Sequence, residues 1–226
     1  MRTTNSTTTG GTVPELTTDT TSGAGTDGSP TLEQLERDVR ALVPDLVGLS
    51  LCRSGPDGPV TLEATTRRVR LLDALQHLDG GPAPTRDRDV TISRARWPHL
   101  ARGAAEAGVG STRAATVCEG EVVVGEVHLY AAGDDPFAGV ADDLEALFDE
   151  ARLCTRVSAA PPSEDTPTQA APRSLRGDGK VHRVIGQLSV RLGTDPIAAY
   201  DRLEASARRA GVGCEDLAAV LVDLRP

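Results

Sequence analysis

An α+β domain, built on an antiparallel sheet with packed helices and followed by a small all-α module of three helices, is the architecture this sequence predicts. Three observations lead there. Between residues 31 and 157, apolar residues recur alternately at helical and at strand spacing, in the order α-β-β-α-β-α-β-β-α. The stretch SAAPPSEDTPTQAAPRSLRGDG, residues 158–179, then breaks all periodicity with four prolines and polar filler. Beyond it, residues 180–226 return to helical spacing in three short runs.

The ends and the break have their own logic. Residues 1–30 are mostly Thr, Ser and Gly. They offer too little apolar surface to offset the entropy of ordering, and a disordered tail is expected. The break at 158–179 reads as a semi-extended linker. The expected organisation is therefore a tail at 1–30, a sheet domain at 31–157, a linker at 158–179 and a module at 180–226.

The sheet domain opens with TLEQLERDVRALVPD, where Leu32, Leu35, Val39, Leu42 and Val43 fall at helical spacing. Thr31 is placed to cap this helix and Pro44 to end it. VGLSLCR and VTLEAT flank the turn signal SGPDGP, a hairpin pattern. RRVRLLDALQHL is a helix closed by Gly80, Gly81 and Pro82. RDVTIS is a short strand, and WPHLARGAAEAG a helix ending at Gly108. STRAATVCEGEVVVGEVHLYAAG is two strands joined around Glu119 and Gly120. VADDLEALFDEARLCTRV closes the domain as an amphipathic helix on Val140, Leu144, Leu147, Phe148, Ala151 and Leu153.

In the module, Val181, Val184, Ile185, Leu188 and Leu192 form one apolar arc, beside a polar face of Lys180, Arg183, Gln187 and Arg191. Gly193 stops that helix. Thr194 or Asp195 caps the next, with Pro196 in its first turn. Its buried arc is expected to hold Ile197, Ala199, Tyr200, Leu203, Ala207 and Ala210. Arg202 and Arg209, seven apart, share the opposite face with Ala198 and Ala205, open to a partner. Gly211 ends the helix, and a third, from about Cys214 to Val222, offers Leu217, Ala218 and Leu221. Three such helices are marginal alone, so a dimer or a partner is expected to support them.

Composition narrows the function classes. The formal net charge is −9, which argues against non-specific nucleic-acid binding by the whole chain. Residues 173–226 nevertheless carry nine basic against seven acidic side chains, a local +2. One Trp, two Tyr and two Phe leave the core to Val, Leu, Ile and Ala. No run of about 18 apolar residues occurs, and the first twenty residues lack an apolar signal core. Cys52, Cys118, Cys154 and Cys214 are widely spaced with no CxxC pair, a pattern of reduced thiols. A cytoplasmic protein without a membrane partner is expected.

The residues of the module also carry a resemblance. VIGQLSVRLGTDPIAAYDRLEASARRAGVGCEDLAAVLV, residues 184–222, resembles an ANTAR domain, through Gly186, VRLG at 190–193, AAYDRL at 198–203 and LAAVLV at 217–222. The longer segment is similar to a GAF domain of the kind paired with ANTAR in actinobacteria. That likeness rests on GLSLCR, LDALQHLDGGP, RWPHLARGAAEAGVGSTRAATV and GEVVVGEVHLYAAGDDPF. The resemblance implies a GAF-like (PAS-like) sensory or dimerisation domain, and a module that binds RNA stem-loops in nascent transcripts as a transcription antitermination regulator. It also implies a homodimer, with the small-molecule ligand of the GAF-like domain unknown.

The candidate RNA-binding residues are Lys180, Arg183, Arg191, Tyr200, Arg202, Arg208 and Arg209. Guanidinium and ammonium groups bind phosphate, and an Arg plane or a Tyr ring can stack on an unpaired base. The competing reading is a solvated helix face, with Tyr200 in the core. Cys52, Cys118 and Cys154 fall on apolar patterns as buried thiols; a redox or metal role requires them to converge in space. His77, His99, His128 and His182 form no HxxxH pair, so no metal site is expected. No phosphate-cradling glycine motif and no nucleophile–base pairing occurs, so neither a cofactor nor catalysis is expected. The alternative function is a non-catalytic interaction and dimerisation module without RNA binding. A third is ligand or redox sensing in the sheet domain.

Overall fold

The computed structural model describes residues 31–55, 58–80, 90–92, 94–119, 122–133, 135–151 and 179–223. Five antiparallel strands form one sheet in the order β2-β1-β5-β4-β3. They are β1 (Leu46–Arg53), β2 (Val60–Ala64), β3 (Val90–Thr91), β4 (Ser111–Glu119) and β5 (Val122–Ala131). Helices α1 (Leu32–Leu42) and α4 (Ala141–Ala151) cover one face, and α2 (Arg67–Asp79) lies on the other beside α3 (Pro98–Glu106). The chain is thus α+β, with the element order read from the periodicity. The expected tail at 1–30, the end of the last sheet-domain helix at 152–157 and nearly all of the linker lie outside the described residues.

Strand alternation sorts the side chains into two layers. Val127, Leu129 and Ala131 of β5 pack with Leu46 and Leu49 of β1 against Leu35, Val39 and Leu144 of the α1–α4 layer. The residues between them, His128 and Tyr130, together with Ser50 and Cys52, face α2. At Gly48, opposite Tyr130 in the sheet, a Cβ would stand 2.6 Å from Thr65 Oγ1 and 2.8 Å from Val69 Cγ2. Only glycine lets the start of α2 approach β1 this closely.

Caps fix the helix ends. Thr31 accepts from Gln34 N at 3.2 Å and Thr66 from Val69 N at 3.2 Å. Gly80 closes α2 in the left-handed conformation at φ 70°. Asp79, at the end of α2, accepts from the amides of His99 and Leu100 at 2.8 and 2.9 Å and so caps α3.

The last three helices are α5 (Gly179–Leu192), α6 (Pro196–Ala210) and α7 (Cys214–Asp223). Asp195 caps α6, accepting from the amides of Ile197 and Ala198 at 2.9 and 3.0 Å. Val184, Ile185, Leu188, Ala199, Leu203, Ala207, Ala210, Leu217, Ala218 and Leu221 form their core. Ile197 corrects the expected arc: it is 75% exposed, and Ser206 takes a buried place. At about 100° per residue, Ile197 stands roughly 160° away from Ala199, off the face that Leu203 and Ala207 extend. Within the chain, α6 and α7 pack on α2, and one core runs through both units and supports the three helices.

Candidate functional site

Two places gather chemistry. The first is the seam between α6 and α2. A helix leaves its last four carbonyls without intrahelical partners, at the negative end of its dipole. At the end of α2, Arg202 Nε and Nη2 donate to Leu78 O at 3.1 and 2.9 Å, and Arg209 Nη2 donates to His77 O at 3.2 Å. The favour is returned by Arg70 of α2, which donates to Ala210 O, in the last turn of α6, at 3.2 Å. Arg67 pairs with Asp216 of α7 at 2.7 Å. Arg191 Nη1 lies 3.1 Å from Nε2 of His99, whose Nδ1 is 2.6 Å from Asp79 Oδ1.

Arg202 and Arg209, expected on an open face, use guanidinium donors on α2 carbonyls while Arg202 stays exposed. The guanidinium groups reach across to the end of α2, with the small Ala205 between them. The same arginines, with Arg208, line an open cleft of about 570 Å³ whose far wall is Gly55, Gly58 and Val60. Among the candidate residues, Lys180, Arg183, Arg191, Arg202 and Arg208 are exposed and Arg209 is half-buried. Tyr200 is half-buried and packs against the core, in the place its apolar arc assigned. The seven candidates are therefore not one patch. Arg202, Arg208 and Arg209 share the cleft, Arg191 sits at His99, and Lys180 and Arg183 lie near the start of α5.

The second place is a buried polar cluster between the sheet and α2. Asp73, in the middle of α2, is fully buried. Its Oδ1 accepts from Tyr130 Oη at 2.6 Å and from Ser50 Oγ at 3.0 Å, and its Oδ2 accepts from Thr61 Oγ1 at 2.9 Å. The Tyr130 hydroxyl also faces Gln76 Oε1 at 3.1 Å. His128 places Nδ1 3.4 Å from Asp73 Oδ1 and 3.7 Å from Cys52 Sγ, while Nε2 lies 3.2 Å from Glu126 Oε2. Cys52 Sγ is 3.6 Å from Thr61 Oγ1, and Thr61 in turn lies 3.4 Å from His77 Nε2.

Burial penalises every charge here, and the neighbours decide which survive. For Asp73, burial pushes the carboxyl up, but the hydrogen bond and charge of His128, with the Tyr130 and Ser50 hydroxyls, outweigh it and hold the pKa low. For His128, burial opposes the imidazolium, yet the contacts with Asp73, Cys52 and Glu126 raise it well above the usual histidine range. His77 goes the other way: burial depresses it to about 4, with the charges of Arg209 and His128 adding to the effect and Asp73 opposing it. Burial and the Asp73 charge raise Tyr130, which keeps its proton and donates it. These shifts favour the carboxylate at Asp73, the imidazolium at His128 and the neutral ring at His77.

Motif reading missed this cluster. Its members come from β1, β2, α2 and β5, so no short spacing joins them. The available signal was polar residues at inward positions: Ser50 and Cys52 alternate with Leu49 and Leu51, and His128 and Tyr130 alternate with Val127 and Leu129. Cys52 is buried, as its apolar pattern suggested. The Cys118 side chain and all of Cys154 lie outside the described residues. No helix among the described residues is long and apolar enough to cross a membrane.

No protein-family model matches the chain, and a search of curated proteins finds no match. Among solved structures, the crystal structure of Escherichia coli SdiA is similar at 11% identity and a TM-score of 0.40, over 85% of this chain and 90% of that one. SdiA in complex with octanoyl-rac-glycerol is similar at 9% identity and a TM-score of 0.42, over 85% of this chain and 88% of that one. Likeness at this level says nothing about what this chain does.

Proposed function

We propose that this chain is an RNA-binding transcription antitermination regulator, in which an ANTAR-like three-helix unit binds RNA stem-loops and a GAF-like body senses or dimerises. The observation that supports this reading is the convergence of Arg202, Arg208 and Arg209 on one cleft. Three guanidinium groups within one concave surface suit phosphates of a folded strand, and forks of this shape take two phosphate oxygens at once. The work is done by binding energy, and a dimer engaging two loops gains from effective concentration.

In this reading the seam is the control point. Arg202 and Arg209 give hydrogen bonds to the α2 carbonyls, so RNA must compete with α2 for the same donors. A signal that loosens α6 from α2 raises RNA affinity with no new contact.

The test is binding of the full chain to stem-loop RNA across a salt series, beside the triple change R202A/R208A/R209A. The expected result is affinity that falls with salt, with a shallower slope in the triple variant, because each lost phosphate contact removes roughly 0.7–0.9 from it. Salt-independent binding, or none to any stem-loop, overturns the proposal. A protein-interaction role is favoured by a separate observation: Val190 and Ile197, on either side of the α5–α6 turn, are 87% and 75% exposed. Dimerisation or partner capture lost in V190S/I197S, with no RNA affinity in the parent chain, would select that role.

A further inference from the structure

The geometry points to a transition-metal site, of the class filled by zinc, formed by Cys52 Sγ, Asp73 and Nδ1 of His128. These three ligand atoms lie within 4.8 Å of one another, and all three residues are buried. They come from β1, α2 and β5, so a bound ion would tie the helix to two neighbouring strands of the sheet.

The spacing suits a metal ion bound in exchange for the proton that His128 Nδ1 otherwise carries between Asp73 and Cys52. His128 Nδ1 faces both Asp73 Oδ1 at 3.4 Å and Cys52 Sγ at 3.7 Å. The nitrogen–oxygen separation exceeds the roughly 2.7–3.2 Å of a good N–H···O bond, and a single ring proton cannot serve both neighbours. In a tetrahedral site, Zn–S of about 2.3 Å and Zn–N and Zn–O of about 2.0–2.1 Å set the ligand atoms roughly 3.3–3.6 Å apart. The two edges at Nδ1 fall close to that spacing, and the third, from Cys52 Sγ to the Asp73 carboxylate, lies within 4.8 Å.

The surroundings match what a metal histidine needs. Nε2 of His128 lies 3.2 Å from the Glu126 carboxylate, the arrangement that orients an imidazole and turns its other nitrogen to the ion. Ser50, Thr61 and Tyr130 hold the Asp73 carboxylate, and because Oδ1 accepts from both Tyr130 and Ser50, a metal bound through that oxygen would displace one of those hydroxyls. Thiolate, imidazole and carboxylate together suit zinc or its close neighbours, whereas magnesium and calcium prefer all-oxygen sites. Three protein ligands leave one tetrahedral position for a water-sized ligand. This inference stands on the cluster alone and does not depend on RNA binding.

The experiment uses the full chain produced in zinc-supplemented medium, desalted, with bound metal measured per chain. About one zinc per chain is expected, falling at least tenfold in Cys52→Ser and His128→Gln and staying unchanged in Cys214→Ser. Less than one tenth of an equivalent in the parent chain, or full occupancy in Cys52→Ser, overturns the proposal. Because the variants can fail to fold, the parent chain carries an independent readout in zinc X-ray absorption. A first shell of one sulfur with nitrogen and oxygen supports the site, and a shell without sulfur or with three or more sulfurs overturns it.

Discussion

Replacing Arg202 by Met keeps the apolar stem and deletes the guanidinium, so it isolates the hydrogen bonds that hold α6 to α2. Both Nε and Nη2 donate to Leu78 O, at 3.1 and 2.9 Å, in a part-buried seam. Hydrogen bonds from a charged donor contribute about 1.5–3 kcal/mol, and the deletion also leaves a helix-end carbonyl without its partner. The expected loss is therefore about 1.5–3 kcal/mol of stability. Arg67→Met is the control. Its pair with Asp216 is shorter, at 2.7 Å, but the side chains are 68% and 48% exposed. Water and salt screen such a pair, and its loss is expected to cost about 0–1 kcal/mol. Urea unfolding of the full chain, followed by circular dichroism, measures both. One transition is expected in the parent chain, because a single apolar core runs through α2, α3 and α5–α7. Equal losses for the two variants, or separate transitions with the body unmoved by Arg202→Met, would refute the reasoning that α6 is fastened through the end of α2.

Three more outcomes follow from the same contacts. Arg70→Ala removes the bond to Ala210 O without touching the cleft arginines, and should tighten RNA binding about 2–10-fold, read by fluorescence anisotropy; weaker binding would sink the competition between RNA and α2. His77 has a folded pKa of about 4 against 6.5 ordinarily, so the unfolded chain binds the extra proton as pH falls from 6.5 to 4 and stability declines across that window. His77→Gln should lessen the decline by about 3 kcal/mol, and urea midpoints that track the parent chain across this range would refute the assignment. Tyr130→Phe strips Asp73 of its shortest hydrogen bond and should cost about 1–3 kcal/mol at neutral pH, a loss that thermal unfolding would register and whose absence would count against a charged Asp73.

How far the chain could be read without its structure depended on the range of the interaction. Caps, stops and periods are local. Thr31, Asp195 and Gly211 declare their helix ends within four residues, and the alternation of β5 declares two faces. The register of β1 on β5 is not local. It alone sets Ser50 beside His128 and Cys52 beside Glu126. A histidine and a cysteine at positions 128 and 52 share no spacing rule, so a search for HxxxH or CxxC passes over them.

The sequence by itself determined the α+β class, the order of the elements and the amphipathic character of the three terminal helices, because backbone capping and side-chain period act over a few residues. Only the tertiary structure decided where the charged side chains go. The face of α6 bearing Arg202 and Arg209 is polar whether it meets solvent or a partner. Its guanidinium groups reach to the end of α2 because that end presents carbonyls that its own helix cannot satisfy. Likewise Asp73 sits on the buried side of α2 because Ser50, Thr61, His128 and Tyr130 arrive from three strands to meet it. No stretch of sequence contains that meeting; the pairing of strands far apart in the chain creates it.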